Sequence, residues 1–129
     1  MLRTLLAVAM IAAVPSLAVG DVVLKKGKKV FRKCKACHAV GEKAKNKVGP
    51  KLNGVVGRKA GTVEGYKYSK AMKNSGLTWD EATLDKFLIK PKNEVKGTKM
   101  IFGGLKKEKQ RANLIGYLKT FGADGKQAE

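Results

Sequence analysis

Residues Cys34-Lys35-Ala36-Cys37-His38 place the tightest constraint on this 129-residue chain. The pattern C-x-x-C-H sets two sulfurs and an imidazole within about two turns of backbone. One chemistry uses all three groups: thioether bonds to the two vinyl groups of a porphyrin, with the histidine turned onto its iron. The same five residues can be read as a redox dithiol, or as half of a zinc site beside a histidine. Under the first reading the fold must wrap a large apolar body fixed to it near one end.

The remaining composition separates these readings. The chain holds no other cysteine and no other histidine. A structural zinc site wants four nitrogen or sulfur ligands, commonly with a second Cys/His pair further along. A thioredoxin-like dithiol belongs at the start of a helix after a strand, and no strand pattern precedes Cys34. Haem is what remains. Both cysteines are then used as thioethers, so no disulfide is expected.

The first twenty residues read as an export signal. Arg3 gives a positive start, Leu5 through Val14 are apolar, and Ala18-Val19-Gly20 is a small-x-small cleavage site before Asp21. The apolar run is about half the length that a bilayer span needs. An uncleaved membrane tether is the alternative. Covalent haem attachment in bacteria takes place outside the cytoplasm, which agrees with export to the periplasm. The expected organisation is therefore a signal peptide over 1–20 and one domain over 21–129.

Charge is the second signal. Lysine and arginine number 28 against 10 acidic residues, a net charge of +18. Such a balance invites nucleic acid, an anionic membrane or an acidic protein partner. Nucleic acid is set aside, because the chain lacks a helix-turn-helix pattern and stacking aromatics. The lysines are spread through the domain rather than packed into a tail, as suits a field that steers encounters.

The hydrophobic pattern is helical throughout. Leu24, Gly27, Phe31 and Cys34 recur on one face leading into the motif. Leu114, Leu118 and Phe121 form a similar stripe near the other end, widened by Ala112, Ile115 and Tyr117 and ended by Gly122. A glycine on the inner face of the first helix predicts a crossed pair at close contact. Thr78-Trp79-Asp80-Glu81 reads as a capping box opening a helix that stops before Pro91. A shorter helix is expected to start at Ser69 and end near Gly76. Residues 39–66 are glycine-rich and without period, so they read as loops wrapped over the haem.

With no second histidine, the soft candidates in the mature chain for the other face of the iron are Met72 and Met100. Met72 falls on the short helix, where a gap-filling core role is expected. Met100 sits between Gly97 and Gly103-Gly104, which let the backbone curl and bring the thioether inward. A His38/Met100 pair raises the reduction potential relative to two nitrogen ligands and closes the iron to outside ligands.

The chain closely resembles class I cytochrome c, of the mitochondrial and bacterial cytochrome c2 kind. The resemblance runs from Gly27 through Lys119. Its marks are Gly27 and Phe31, Val48-Gly49-Pro50, Leu52-Asn53-Gly54, Gly57-Arg58 and Gly65-Tyr66-Lys67-Tyr68. They continue with Thr78-Trp79, Pro91, Gly97-Thr98-Lys99-Met100 and Leu114-Ile115-Gly116-Tyr117-Leu118. It implies an all-α class I cytochrome c fold: crossed N- and C-terminal helices, short helices, and loops around one covalently attached haem c. It also implies that the Pro50 carbonyl accepts the free imidazole N–H of His38, fixing its tautomer. Tyr68 and Trp79 are expected on one haem propionate, with Arg58 offsetting its charge; Thr98 supports the second, and Phe102 shields the haem edge.

Three positions depart from the family. Phe87 stands where a tyrosine usually touches the methionine sulfur, Met72 replaces a polar residue, and Lys96 takes the place of a proline before Gly97. The activity implied is one-electron transport, not catalysis, by a monomer that cycles between ferric and ferrous iron. Its donor and acceptor would resemble a quinol–cytochrome c oxidoreductase and a terminal oxidase or photosynthetic reaction centre. A docking ring of Lys33, Lys35, Lys47, Lys92, Lys99, Lys106 and Lys107 would meet their acidic surfaces. The rivals are an open-iron enzyme or gas sensor, and a cationic membrane- or nucleic-acid-binding protein without haem.

Overall fold

The computed structural model describes residues 21–129; the signal peptide expected over 1–20 lies outside them. Five helices follow one another: α1 (Leu24–Phe31), α2 (Lys70–Lys73), α3 (Glu81–Ile89), α4 (Pro91–Glu94) and α5 (Glu108–Lys119). No strand forms among the described residues; the only pairings outside helices are single bridges, Lys59 with Thr78 and Phe121 with Gln127. None of the described helices is long and apolar enough to cross a membrane.

The frame is the crossing of α1 and α5. Gly27 is buried, and a side chain there would run into the Asn113 carbonyl and the Tyr117 Cβ. The absence of a Cβ lets the two backbones touch, which is what the glycine on the inner face predicts. Phe31 packs on Tyr117 with ring centroids 5.8 Å apart, and Tyr117 on Phe121 at 5.2 Å. Asn113 Oδ1 also accepts the N–H of Val23 at 2.9 Å; Val23 is the N-cap of α1, and its own side chain makes no capping bond.

Helix α3 closes the domain from a third side with Leu84, Phe87 and Leu88 buried. Its start differs from the capping box read from the sequence. Thr78 is not the cap: its bridge to Lys59, together with the Trp79 N–H bond to the Arg58 carbonyl, keeps this segment extended. The cap is Asp80, whose carboxylate accepts the Thr83 N–H at 2.7 Å. That bond holds the Asp80 carboxyl below its usual pKa. Pro91 does end α3, and it then occupies the first position of α4, where its fixed φ is tolerated. Ser69 caps α2 through Met72 N–H, as its sequence position predicts. The C-terminal stripe is helical only to Lys119, and Phe121 reaches the core from the turn that follows.

Replacing Gly27 with valine is expected to cost about 3 kcal/mol by forcing the crossed helices apart. Guanidinium unfolding monitored by circular dichroism measures this; a loss below about 0.5 kcal/mol would contradict the close crossing.

Candidate functional site

The motif cysteines and histidine lie just beyond α1, where the chain keeps turning. Cys34 N–H bonds to Phe31 O at 2.8 Å, Cys37 N–H to Cys34 O at 3.1 Å, and His38 N–H to Cys34 O at 2.9 Å. This winding brings Cys34, Cys37 and His38 to one cavity of about 290 Å³. Met100, from the distant loop after α4, lines the same cavity. Leu52, Val55, Leu84, Phe87, Leu114 and Leu118 make much of its wall.

His38 is held in the form that a metal would need. Its Nδ1 lies 2.7 Å from the Pro50 carbonyl, which can only accept, so the ring proton sits on Nδ1 and Nε2 is free. Burial lowers the imidazole pKa most, the Pro50 bond opposes this, and Arg58 and Lys47 lower it further. The ring is therefore neutral at physiological pH, the form a metal needs. Gly49 lies against this ring so closely that any side chain would strike it, and Gly49 N–H is tied to Cys37 O at 2.8 Å.

Cys34 does not suit thiol catalysis. Burial, then the neighbouring Cys37, pushes the Cys34 thiol up to about 11 despite Lys33. A catalytic dithiol needs the opposite shift, toward thiolate. Nor do the described residues contain any group of three or more His, Cys, Asp or Glu side chains able to hold a metal by themselves. Two sulfurs, one neutral imidazole and one thioether around an apolar cavity fit a covalently attached haem. In that fit Cys34 and Cys37 would take the vinyl groups, and His38 and Met100 the iron.

The Met100 loop is fixed at both ends. Val95 and Leu105 are buried, Leu105 N–H bonds to Leu88 O at 2.7 Å, and Gly104 presses on the Ile89 carbonyl at φ 106°. Between them Thr98 Oγ1 accepts the Met100 N–H at 3.2 Å. Sequence reasoning missed Arg111, which is buried and holds this loop from α5. It donates to Leu105 O at 3.0 Å and Lys106 O at 2.9 Å, and pairs with Asp85 at 2.7 Å. The signal was available: Arg111 stands four residues before Ile115 on the apolar stripe, a charge on a buried face.

The other named residues gather at the same cavity. Arg58, Tyr68, Trp79, Thr98 and Phe102 all line it. Arg58 Nη1 donates to Asn53 O at 2.8 Å, which leaves other N–H groups of its fork for a carboxylate. Tyr68 accepts the Val63 N–H at 3.0 Å and keeps its own proton to donate. Its ring meets Tyr66 edge-on at 4.8 Å, and Tyr66 OH donates to Val48 O at 2.6 Å. Trp79 is buried against Phe87, centroids 4.8 Å apart. Met72 also lines the cavity, half-buried.

The seven lysines are all exposed. Lys33 and Lys99 line the cavity itself; Lys47 Nζ reaches Lys35 O at 2.8 Å, and Lys99 Nζ reaches Lys67 O at 3.2 Å. Lys92 borders a second hollow shared with Ile101 and Phe102, and Lys106 and Lys107 lead into α5. Val48 and Ile101 stand among these lysines on the cavity wall, 75% and 90% exposed.

Comparison with known proteins agrees with this geometry. The cytochrome c family model matches residues 24–122. The chain is 59% identical over 99 residues to cytochrome c2 of Rhodoblastus acidophilus, covering 77% of this chain and 92% of that one. It is 54% identical over 117 residues to cytochrome c-554 of Methylosinus trichosporium, covering 91% and 87%. The solved structure of cytochrome cH from Methylobacterium extorquens superimposes with a TM-score of 0.72 at 51% identity, covering 78% of this chain and 99% of that one. With this fold, this cavity and these relatives, the chain belongs to the cytochrome c family as a class I electron-transfer protein, not an enzyme, carrying covalently bound haem c.

Proposed function

We propose that this protein is a periplasmic one-electron carrier with His38 and Met100 as axial iron ligands and Cys34 and Cys37 as the haem thioethers. The observation that carries the reading is the convergence of all four side chains on one apolar cavity, from segments more than sixty residues apart. When bound, haem c supplies the reversible Fe(III)/Fe(II) couple. The protein's part is to keep both sides of the iron occupied and dry, so that little rearranges when charge changes. Pro50 keeps the His38 proton on Nδ1, and Phe87, Leu88 and Phe102 exclude water from the thioether side. Arg58, Tyr68, Trp79 and Thr98 offer the donors that two propionates would need on leaving water.

The same geometry supports a docking face. Val48 and Ile101 form an apolar centre that desolvates on contact, and the lysine ring around them attracts carboxylates before contact. A small apolar centre with a charged rim gives fast arrival and fast release, as a shuttle requires. Partners of this chemistry are the acidic docking surfaces of membrane redox complexes: a quinol–cytochrome c oxidoreductase as donor, and a terminal oxidase or photosynthetic reaction centre as acceptor. The N-terminal export signal read from residues 1–20 supports the periplasmic placement.

The oxidised protein is expected to show a six-coordinate low-spin spectrum with a sulfur-to-iron band. Met100→Ala is expected to lose that band while the haem stays attached. A high-spin spectrum of the unaltered protein would instead point to an open-iron catalyst or sensor. The electron-transfer rate constant with an acidic partner is expected to fall at least about tenfold as ionic strength rises from roughly 0.01 to 0.3 M. A rate that does not change with salt would contradict the steering role of the lysines.

A further inference from the structure

The segment after α5 is tied to the loop that carries Pro50. Beyond Thr120 the chain folds back on itself: Gly122 N–H bonds to Lys126 O at 3.0 Å, Gly125 N–H to Gly122 O at 2.9 Å, and Ala128 N–H to Thr120 O at 2.8 Å. Asp124 Oδ1 accepts the Lys126 N–H at 2.9 Å, so the turn is braced from within. This small clasp sits on residues 41–54. Phe121, itself buried, accepts the Gly54 N–H at 3.1 Å. Gly125 is buried at φ 81°, and any side chain there would meet the Gly41 carbonyl and the Asn53 amide.

Beneath the clasp lies Asn53, which with Arg111 is one of two buried polar side chains among the described residues. Its Oδ1 accepts the Gly41 N–H at 2.8 Å, and its Nδ2 donates to the Gly41 carbonyl at 2.8 Å. Gly41 and Asn53 are the two ends of the excursion that presents Pro50. Within it no helix or strand holds the backbone. Backbone bonds from Gly49 N–H to Cys37 O and from Leu52 N–H to Ala39 O at 2.9 Å tie it to the motif and the residue that follows it. The doubly bonded amide pins its neck, and the clasp covers the pin. A buried amide that satisfies both backbone groups of one residue is costly to remove, because each group then loses its partner.

We propose that residues 121–128 act through Asn53 to hold the Pro50 carbonyl on His38 Nδ1, so that Asn53 and Gly125 are positioning residues for the histidine. The proposal rests on the reading of His38 as an iron ligand. The strength of that carbonyl bond sets how basic the imidazole is toward the iron. Loosening the clasp weakens the bond, reduces electron donation by the ring, and favours the ferrous state.

The test uses the holoprotein with three variants: Gly125→Val and Asn53→Ala in the clasp, and Gly27→Ala at the helix crossing as a comparison for general loss of stability. NMR hydrogen exchange of the His38 ring N–H in the reduced protein and the reduction potential are the readouts. In the unaltered protein a ring N–H shifted by the haem establishes His38 as ligand; its absence refutes that reading, whatever the variants do. In both clasp variants, at matched unfolding stability with Gly27→Ala, ring N–H exchange is expected to quicken about tenfold or more. Their potential should rise while the sulfur-to-iron band persists. If exchange and potential instead track unfolding stability alone, or do not move, the clasp has no positioning role. Should Gly125→Val fail to fold, Asn53→Ala decides.

Discussion

A hydrogen bond of 2.7 Å from His38 Nδ1 to the Pro50 carbonyl ties the chemistry of the site to the path of the loops around it. It puts the single ring proton where it does not compete with a metal. Burial and the nearby Arg58 and Lys47 act in the same direction by holding the imidazole neutral. The bond also dictates sequence. Pro50 must come close to the ring, so the residue before it can carry no side chain, and Gly49 meets that need. The excursion from Gly41 to Asn53 must then be held without secondary structure, which falls to side-chain amides and to the chain after α5.

The methionine side is built differently. Phe87 has no hydroxyl to offer the thioether, and Met72 brings a second soft, apolar side chain to the same cavity. Nothing there corresponds to the polar grip on His38. Met100 depends instead on backbone anchors at Val95 and Leu105 and on Arg111, which reaches from α5 to two carbonyls at the loop's far end. The His38 ring is thus oriented by a hydrogen bond and the Met100 loop by packing and its ends. Replacing Arg111 by lysine would keep the charge but lose the planar group that gives Nη1 to both carbonyls while Nε pairs with Asp85.

How much of this could be read from the sequence depended on the range of the interaction. Cys34, Cys37 and His38 are covalent neighbours, and Gly27 announces its close contact by standing on an apolar face. The place of Met100 at the cavity was legible because only two thioethers occur after residue 20 and glycines flank one of them. Thr78 misled because a capping box is a local pattern, while the start of α3 is set by the pairing of Lys59 with Thr78 across the chain. Asn53 stood out only as a mark of the family, and its bonding gave no signal: its partner Gly41 is twelve residues away, and its cover comes from the far end of the domain. Arg111 could have been noticed as a charge on a buried stripe, but not its carbonyl partners.

Surface charge and interior polarity therefore divide the work. The exposed lysines carry the charge of the surface, whereas the few buried polar groups decide where the His38 ring and the Met100 loop stand. X-ray absorption at the iron of the holoprotein tests this account most directly. It predicts one sulfur bonded to iron in both the ferric and the ferrous protein, with nitrogen in the remaining positions. An iron with no bonded sulfur, or with sulfur in only one oxidation state, would contradict it.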